Sequence, residues 1–112
     1  MGSVVDGALM TEWRLMQGDT LIGELTEHGC DQPFFLMHFS PGPGWEKVRA
    51  LFEGLAGLRG PDPDGSQFVR VAKPLQDLEL ILVPVHGHES PLRVLKDCTL
   101  RIDGNAARLR YY

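Results

Sequence analysis

The C-terminal stretch from Cys98 to Tyr112 constrains the fold of this chain more than any other segment. Apolar and polar residues alternate on both sides of Asp103-Gly104, and this dipeptide is a strong signal for a tight turn between antiparallel strands. Because successive side chains on a strand point to opposite faces, one face of the resulting pair is apolar. The stretch therefore predicts a β-hairpin with one buried face.

Two registers of this hairpin keep its apolar and polar faces separate. A loop at Asp103-Gly104 places Thr99 opposite Arg108, whereas a loop at Gly104-Asn105 places Arg101 opposite Arg108. Like charges directly opposite each other are destabilising, so the Asp-Gly loop is preferred. The residues then expected to face inward are Cys98, Leu100, Ile102, Ala107, Leu109 and Tyr111.

The composition is that of one globular domain. A chain of 112 residues with 43% hydrophobic and 23% charged residues can bury a core without a disulfide or a structural metal. We expect residues 10–112 to form a single domain and residues 1–9, which show no hydrophobic period, to be a disordered leader. The net charge of −4 argues against general affinity for nucleic acid or an anionic membrane.

Cys30 and Cys98 lie far apart and do not form a CxxC motif. The sequence also shows no signal peptide and no long apolar span. These features predict a cytoplasmic protein whose two cysteines are buried thiols.

Three strand patterns precede a helical one. Trp13–Gln17 and Thr20–Glu27 flank a Gly-Asp turn, and Phe34–Phe39 is typical of a central strand that is covered on both faces. From Trp45 onward the apolar spacing becomes helical, which predicts one long amphipathic helix. Its apolar stripe consists of Trp45, Val48, Leu51, Phe52, Leu55 and Leu58.

The second half of the chain adds further strands. Ser66–Asp77 fits either a short helix or a strand, and Leu78–Val83 is typical of a buried strand. Leu92–Leu95 predicts a further strand or the start of the terminal hairpin. The order βββ-α-(short α or β)-βββ predicts an α+β fold. We expect an antiparallel sheet of about six strands packed against one long amphipathic helix.

The first three strands carry apolar residues on both faces. One helix can bury only one face of a sheet, so another element must pack on the second face. The sheet could curl into a partial barrel, the ambiguous segment could pack on the second face, or another subunit could do so. The third arrangement predicts a homodimer.

Short motifs of turn and packing residues lie along most of the chain from about Met10. They are Trp13-Arg-Leu15, Gly23-Glu-Leu25, Asp31-Gln-Pro-Phe34, Phe39-Ser-Pro-Gly-Pro-Gly-Trp45 and Ile102-Asp-Gly104. In these motifs the chain resembles a group of small uncharacterised actinobacterial α+β proteins. The resemblance implies no activity, and it assigns no functional residue.

The densest cluster of metal-ligating residue types is His86, His88 and Glu89. The two histidines would share a face if the preceding strand continued, but zinc would need further ligands from elsewhere in the chain. The candidates for those ligands are His28, Cys30 and His38. An exposed turn is the simpler interpretation, and no cofactor is predicted.

A pocket between the helix stripe and the sheet is the basis of one functional hypothesis. Its expected lining is Phe35, Met37, His38, Trp45 and Phe52. Such a pocket would make the protein a small-molecule binding protein or a small enzyme.

The outward face of the terminal hairpin is the basis of the leading hypothesis. Arg101, Arg108, Arg110 and Tyr112 would form a recognition patch, since arginine and tyrosine are favoured at interfaces. The sequence shows no catalytic constellation. We therefore expect a non-enzymatic protein-interaction module, regulatory or immunity-like, whose partner is another protein or a second copy, with no nucleic acid and no membrane.

Overall fold

The computed structural model describes residues 12–31, 33–58, 65–85 and 90–111. Over these residues the chain forms seven strands and two helices. The strands are β1 (Glu12–Gln17), β2 (Thr20–Asp31), β3 (Phe34–Pro41), β4 (Ile81–Pro84), β5 (Leu92–Arg93), β6 (Cys98–Asp103) and β7 (Ala106–Tyr111). The helices are α1 (Trp45–Ala56) and α2 (Ser66–Asp77). The predicted leader, residues 1–9, lies outside the described residues.

All seven strands belong to one sheet, with the order β5-β4-β1-β2-β3-β7-β6 and antiparallel pairing throughout. The strands at its two edges, β5 and β6, are consecutive in the chain. A parallel bridge between Val94 and Cys98 joins them at one end, and the Leu95 N–H donates to the carbonyl oxygen of Cys98 at 2.8 Å. The sheet is therefore curled into a half-barrel.

The predicted sheet of about six strands packed against one long amphipathic helix is wrong. The described residues form a curled half-barrel of seven antiparallel strands and two helices of 12 residues each. The apolar stripe continues to Leu58, but α1 ends at Ala56 because glycines at positions 54 and 57 weaken its last turns. The coarser description, an α+β chain with an antiparallel sheet, is confirmed.

The ambiguous segment forms α2, which packs with α1 on the inner side of the sheet. Leu75 of α2 joins the same core cluster as Phe52 of α1 and the inward-facing residues of the strands. The core therefore lies between the concave sheet face and the two helices. The prediction that both faces of β3 are covered is wrong for its outer face. There Phe34 is half-buried and His38 is exposed.

The first hairpin contains a β-bulge that the sequence did not predict. Its turn is at Gly18-Asp19 and Met16 lies opposite Leu21, but Leu15 lies opposite Gly23 because the register shifts between Leu15 and Met16. The extra residue lets Leu15 and Ile22 both reach the core, where each is fully buried. The bulge thus removes much of the apolar surface that was expected on the second face.

Candidate functional site

The outer face of β6 and β7 carries three arginines, which we call the arginine face: Arg101, Arg108 and Arg110. Along β6 and β7 the buried residues alternate with residues that point away from the core. Arg101 and Arg108 are exposed, and Arg110 is half-buried. The strand period therefore places these side chains as predicted, on the polar face of the hairpin. Tyr112 lies outside the described residues.

Within this face Arg101 lies directly opposite Arg108. The predicted Asp-Gly loop is therefore wrong, and the turn is formed by Gly104-Asn105. Gly104 has a φ of +64°, whereas Asp103 is extended strand. A turn with glycine first needs a single positive φ, while the Asp-Gly turn would have required an aspartate in the left-handed region.

Residues of neighbouring strands draw the Arg108 side chain away from Arg101. The guanidinium carbon of Arg108 lies 5.9 Å from the centre of the Phe34 ring. Its Nη2 atom lies 3.9 Å from the Oδ2 atom of Asp31. Both contacts are with residues near the β2–β3 connection, which the sequence did not link to the hairpin. They give Arg108 partners on the side of β7 that faces β3, away from β6.

A depression of about 370 Å³ lies beside the two opposed arginines. Its lining includes Ala56, Arg101, Asp103, Ala106, Ala107 and Arg108. Two arginines and the aspartate Asp103 therefore contribute to the lining of this depression. Guanidinium groups bind carboxylates in a two-point geometry, so the depression suits a ligand group that carries a negative charge.

Of the five residues predicted to line a pocket, four belong to the core cluster or pack against it. Met37, Trp45 and Phe52 are buried in the core, where the Trp45 ring lies 5.5 Å from that of Phe52. Phe35 faces inward at another place, stacked on Tyr111 at 5.3 Å. His38 is exposed on the opposite face of β3. The hypothesis of a small-molecule binding protein or small enzyme stays a prediction.

The predicted metal ligands His86, His88 and Glu89 lie outside the described residues. In the part of the chain that is described, no group of three or more His, Cys, Asp or Glu residues could hold a metal ion. Cys98 is buried, as predicted, and burial raises the pKa of its thiol to about 11. The prediction that Cys30 is buried is wrong, since it is exposed at the end of β2.

A second cleft, which the sequence did not predict, lies between the end of α2 and the β5–β6 turn. It has a volume of about 370 Å³, and its lining includes Gln76, Glu79, Arg93, Val94 and Lys96. Among the described residues, Glu79 and Leu95 are the non-glycine residues with positive φ, at 55° and 65°. The Gln76 amide donates to the Leu95 carbonyl oxygen at 3.1 Å and ties the two strained turns together.

Arg93 and Asp97 form a two-point ion pair in the β5–β6 turn. The Nε atom of Arg93 lies 2.9 Å from one carboxylate oxygen, and its Nη2 atom lies 3.0 Å from the other. The backbone N–H of Arg93 also donates to Asp97 at 2.9 Å. These hydrogen bonds lower the pKa of Asp97 to about 2.

We expect the Asp97 carboxylate to stabilise the fold above about pH 4 and to lose this effect as the pH falls towards about 2. Its pKa is lower in the folded state, so the unfolded state takes up the proton first and acid favours unfolding. The check is the difference in Tm between the wild type and Asp97→Asn. The difference should stay constant above about pH 4 and shrink below it. A difference that persists unchanged at pH 2 would contradict the ion pair.

Comparison with known proteins assigns the chain to no group. No protein-family model matches it, and neither a curated protein nor a solved structure does. The resemblance to actinobacterial proteins therefore stays a prediction. Within the described residues no helix is both long enough and apolar enough to cross a membrane.

Proposed function

We propose that this protein is a non-enzymatic interaction module that binds an acidic segment of a partner protein through Arg101 and Arg108. The observation that carries the proposal is the placement of these two arginines directly opposite each other on neighbouring strands. Like charges directly opposite each other on neighbouring strands are destabilising. An acidic ligand bound by both arginines would offset this repulsion.

Local conflicts between sequence and fold are typical of functional sites. Here, a register with Thr99 opposite Arg108 would have avoided the conflict, yet the chain adopts the one with two arginines. The Phe34 ring beside Arg108 adds an apolar surface next to the charge. Arginine beside an aromatic ring is a common composition at the centre of protein interfaces, which favours a protein partner over a free ion.

The interaction is expected to be exposed to solvent and therefore sensitive to salt. Arg108 is 55% exposed, so each guanidinium is screened by water and by dissolved ions. We expect modest affinity for a short acidic peptide, and a steep fall in affinity as the ionic strength rises. We further propose that the protein acts in the cytoplasm, where its exposed Cys30 would stay reduced.

The test is a titration of a fluorescein-labelled peptide that contains a run of glutamates and one tyrosine, followed by anisotropy. Because solvent-exposed ion pairs contribute about 0.2–1 kcal/mol each, Arg101→Gln or Arg108→Gln should weaken binding by up to about fivefold. Arg49→Gln is the matched control, since Arg49 is an equally exposed arginine on α1 that pairs with Glu46 and Glu53. It removes the same charge and should leave binding nearly unchanged.

Two outcomes would contradict an acidic protein partner. Equal weakening by Arg49→Gln would show that only the overall charge matters. Tighter binding of a single-stranded oligonucleotide of the same charge would instead indicate a nucleic-acid ligand.

A further inference from the structure

The depression beside the arginine face contains an aspartate that the hairpin turn does not require. Asp103 is the last residue of β6 and has extended backbone, because the turn is formed by Gly104-Asn105. Among the described residues, no hydrogen bond or ion pair involves the Asp103 side chain. Its carboxylate therefore neither caps the turn nor joins the two strands.

Asp103 lies on the same outer face of β6 as Arg101. The two residues are exposed, and Ile102 between them is buried in the core. On a strand, side chains two residues apart are separated by about 7 Å. Within the described part of the chain, Arg101 and Asp103 form no ion pair with each other or with another residue. A cation and an anion thus lie side by side on one face, and each is available to a ligand.

The residue across the ladder leaves the Asp103 side chain accessible. Ala106 lies directly opposite Asp103, and it is exposed and too small to cover a carboxylate. Both residues line the same depression as Arg101 and Arg108. A peptide bound by the two arginines would therefore pass close to Asp103.

This aspartate is unfavourable for a ligand that is acidic throughout. A carboxylate beside the two arginines repels a second acidic group of the ligand, and such repulsion is a common source of specificity. A ligand with a cation about 7 Å from its acidic group would instead form a further ion pair. In an extended peptide, residues two apart point to the same side at this distance.

We propose that Asp103 determines the specificity of this site, by selecting a partner segment with a basic residue two positions from the acidic residue. The inference rests on the proposed function, because it specifies the charge pattern of the ligand that Arg101 and Arg108 bind. Those two arginines take the acidic residue, and Asp103 takes the basic one.

Two fluorescein-labelled peptides of identical composition and net charge test this pattern by anisotropy. The first contains Glu-Ala-Lys-Ala-Glu, in which lysine is two residues from both glutamates, so that it fits in either chain direction. The second contains Glu-Lys-Ala-Ala-Glu. The wild type should bind the first peptide about two- to fivefold more tightly, the range for an exposed ion pair. Asp103→Asn should bind both peptides equally.

Asp19→Asn is the matched control. Asp19 is an exposed aspartate in the β1–β2 turn and has no ion pair among the described residues, and β3 and β7 separate β2 from β6 in the sheet. This variant should keep the preference of the wild type. Equal binding of both peptides by the wild type, with Arg101→Gln still weakening both, would overturn the role of Asp103 and leave the proposed function standing. If Arg101→Gln weakens neither peptide, the proposed function fails as well.

Discussion

Phe52→Ala is expected to lower the free energy of unfolding by about 3–5 kcal/mol, the usual loss when a buried phenylalanine is truncated. Phe52 is completely buried at the centre of α1. Its ring lies 5.5 Å from that of Trp45, which in turn lies 4.7 Å from Phe39 on β3. This chain of aromatic rings connects the helix to the sheet. Truncation removes the middle of the core and leaves a cavity that rigid neighbours cannot fill.

Urea denaturation of Phe52→Ala and Leu51→Ala separates burial from helix effects. Leu51 is the neighbouring residue on α1, and it is only partly buried. Alanine is a better helix former than either residue and gains more over phenylalanine, so helix propensity alone would make Phe52→Ala the less costly change. Leu51→Ala should cost clearly less. Equal losses in the two variants would contradict the position of Phe52 in the core.

Gly23→Ala is expected to destabilise the protein by about 3 kcal/mol, because overpacking a rigid site costs this much. A Cβ atom at Gly23 would overlap the Phe39 ring, with the Cζ atom 2.5 Å away, and would lie 2.9 Å from the carbonyl oxygen of Ser40. The ring cannot turn aside, since Phe39 is buried and packs on Trp45. The glycine therefore allows β2 and β3 to pair beneath this ring.

Gly29→Ala is the matched control for the same strand. A Cβ atom at Gly29 would meet Leu36 at 3.7 Å, an ordinary contact distance, so its free energy of unfolding should change by less than about 0.5 kcal/mol. Denaturant unfolding of both variants gives the comparison. In a Phe39→Leu background the cost of Gly23→Ala should fall, because the two residues share one space. Equal costs at positions 23 and 29 would contradict the close approach.

Alternation along the strands was sufficient to predict the faces of the terminal hairpin. Leu100, Ile102 and Leu109 are buried, and Arg101 and Arg108 are exposed, as a period of two requires. The register was predicted wrongly because the charge rule was given more weight than the turn geometry, which favours a single positive φ at Gly104. Two residues distant in sequence, Asp31 and Phe34, lie beside Arg108 and accommodate the opposed arginines.

Other features follow from tertiary contacts that leave no local pattern. The half-barrel depends on the turn between β5 and β6, in which Leu95 adopts a positive φ that sequence rules reserve for glycine. Glu79 does the same after α2. No glycine marks either position, so the cleft between them could not be predicted. The length of α1 was overestimated because an apolar stripe can continue beyond the end of its helix.

The opposed pair of Arg101 and Arg108 is the centre of the functional proposal, and thermal unfolding of Arg101→Gln with and without the acidic peptide tests it most directly. Without peptide, the variant should have a higher Tm than the wild type, because the like-charge pair is gone. With peptide, the Tm of the wild type should rise, since a ligand that binds the folded state stabilises it, and that of the variant should not. A lower Tm in the free variant, or an equal rise in both proteins, would contradict a site built around the two arginines.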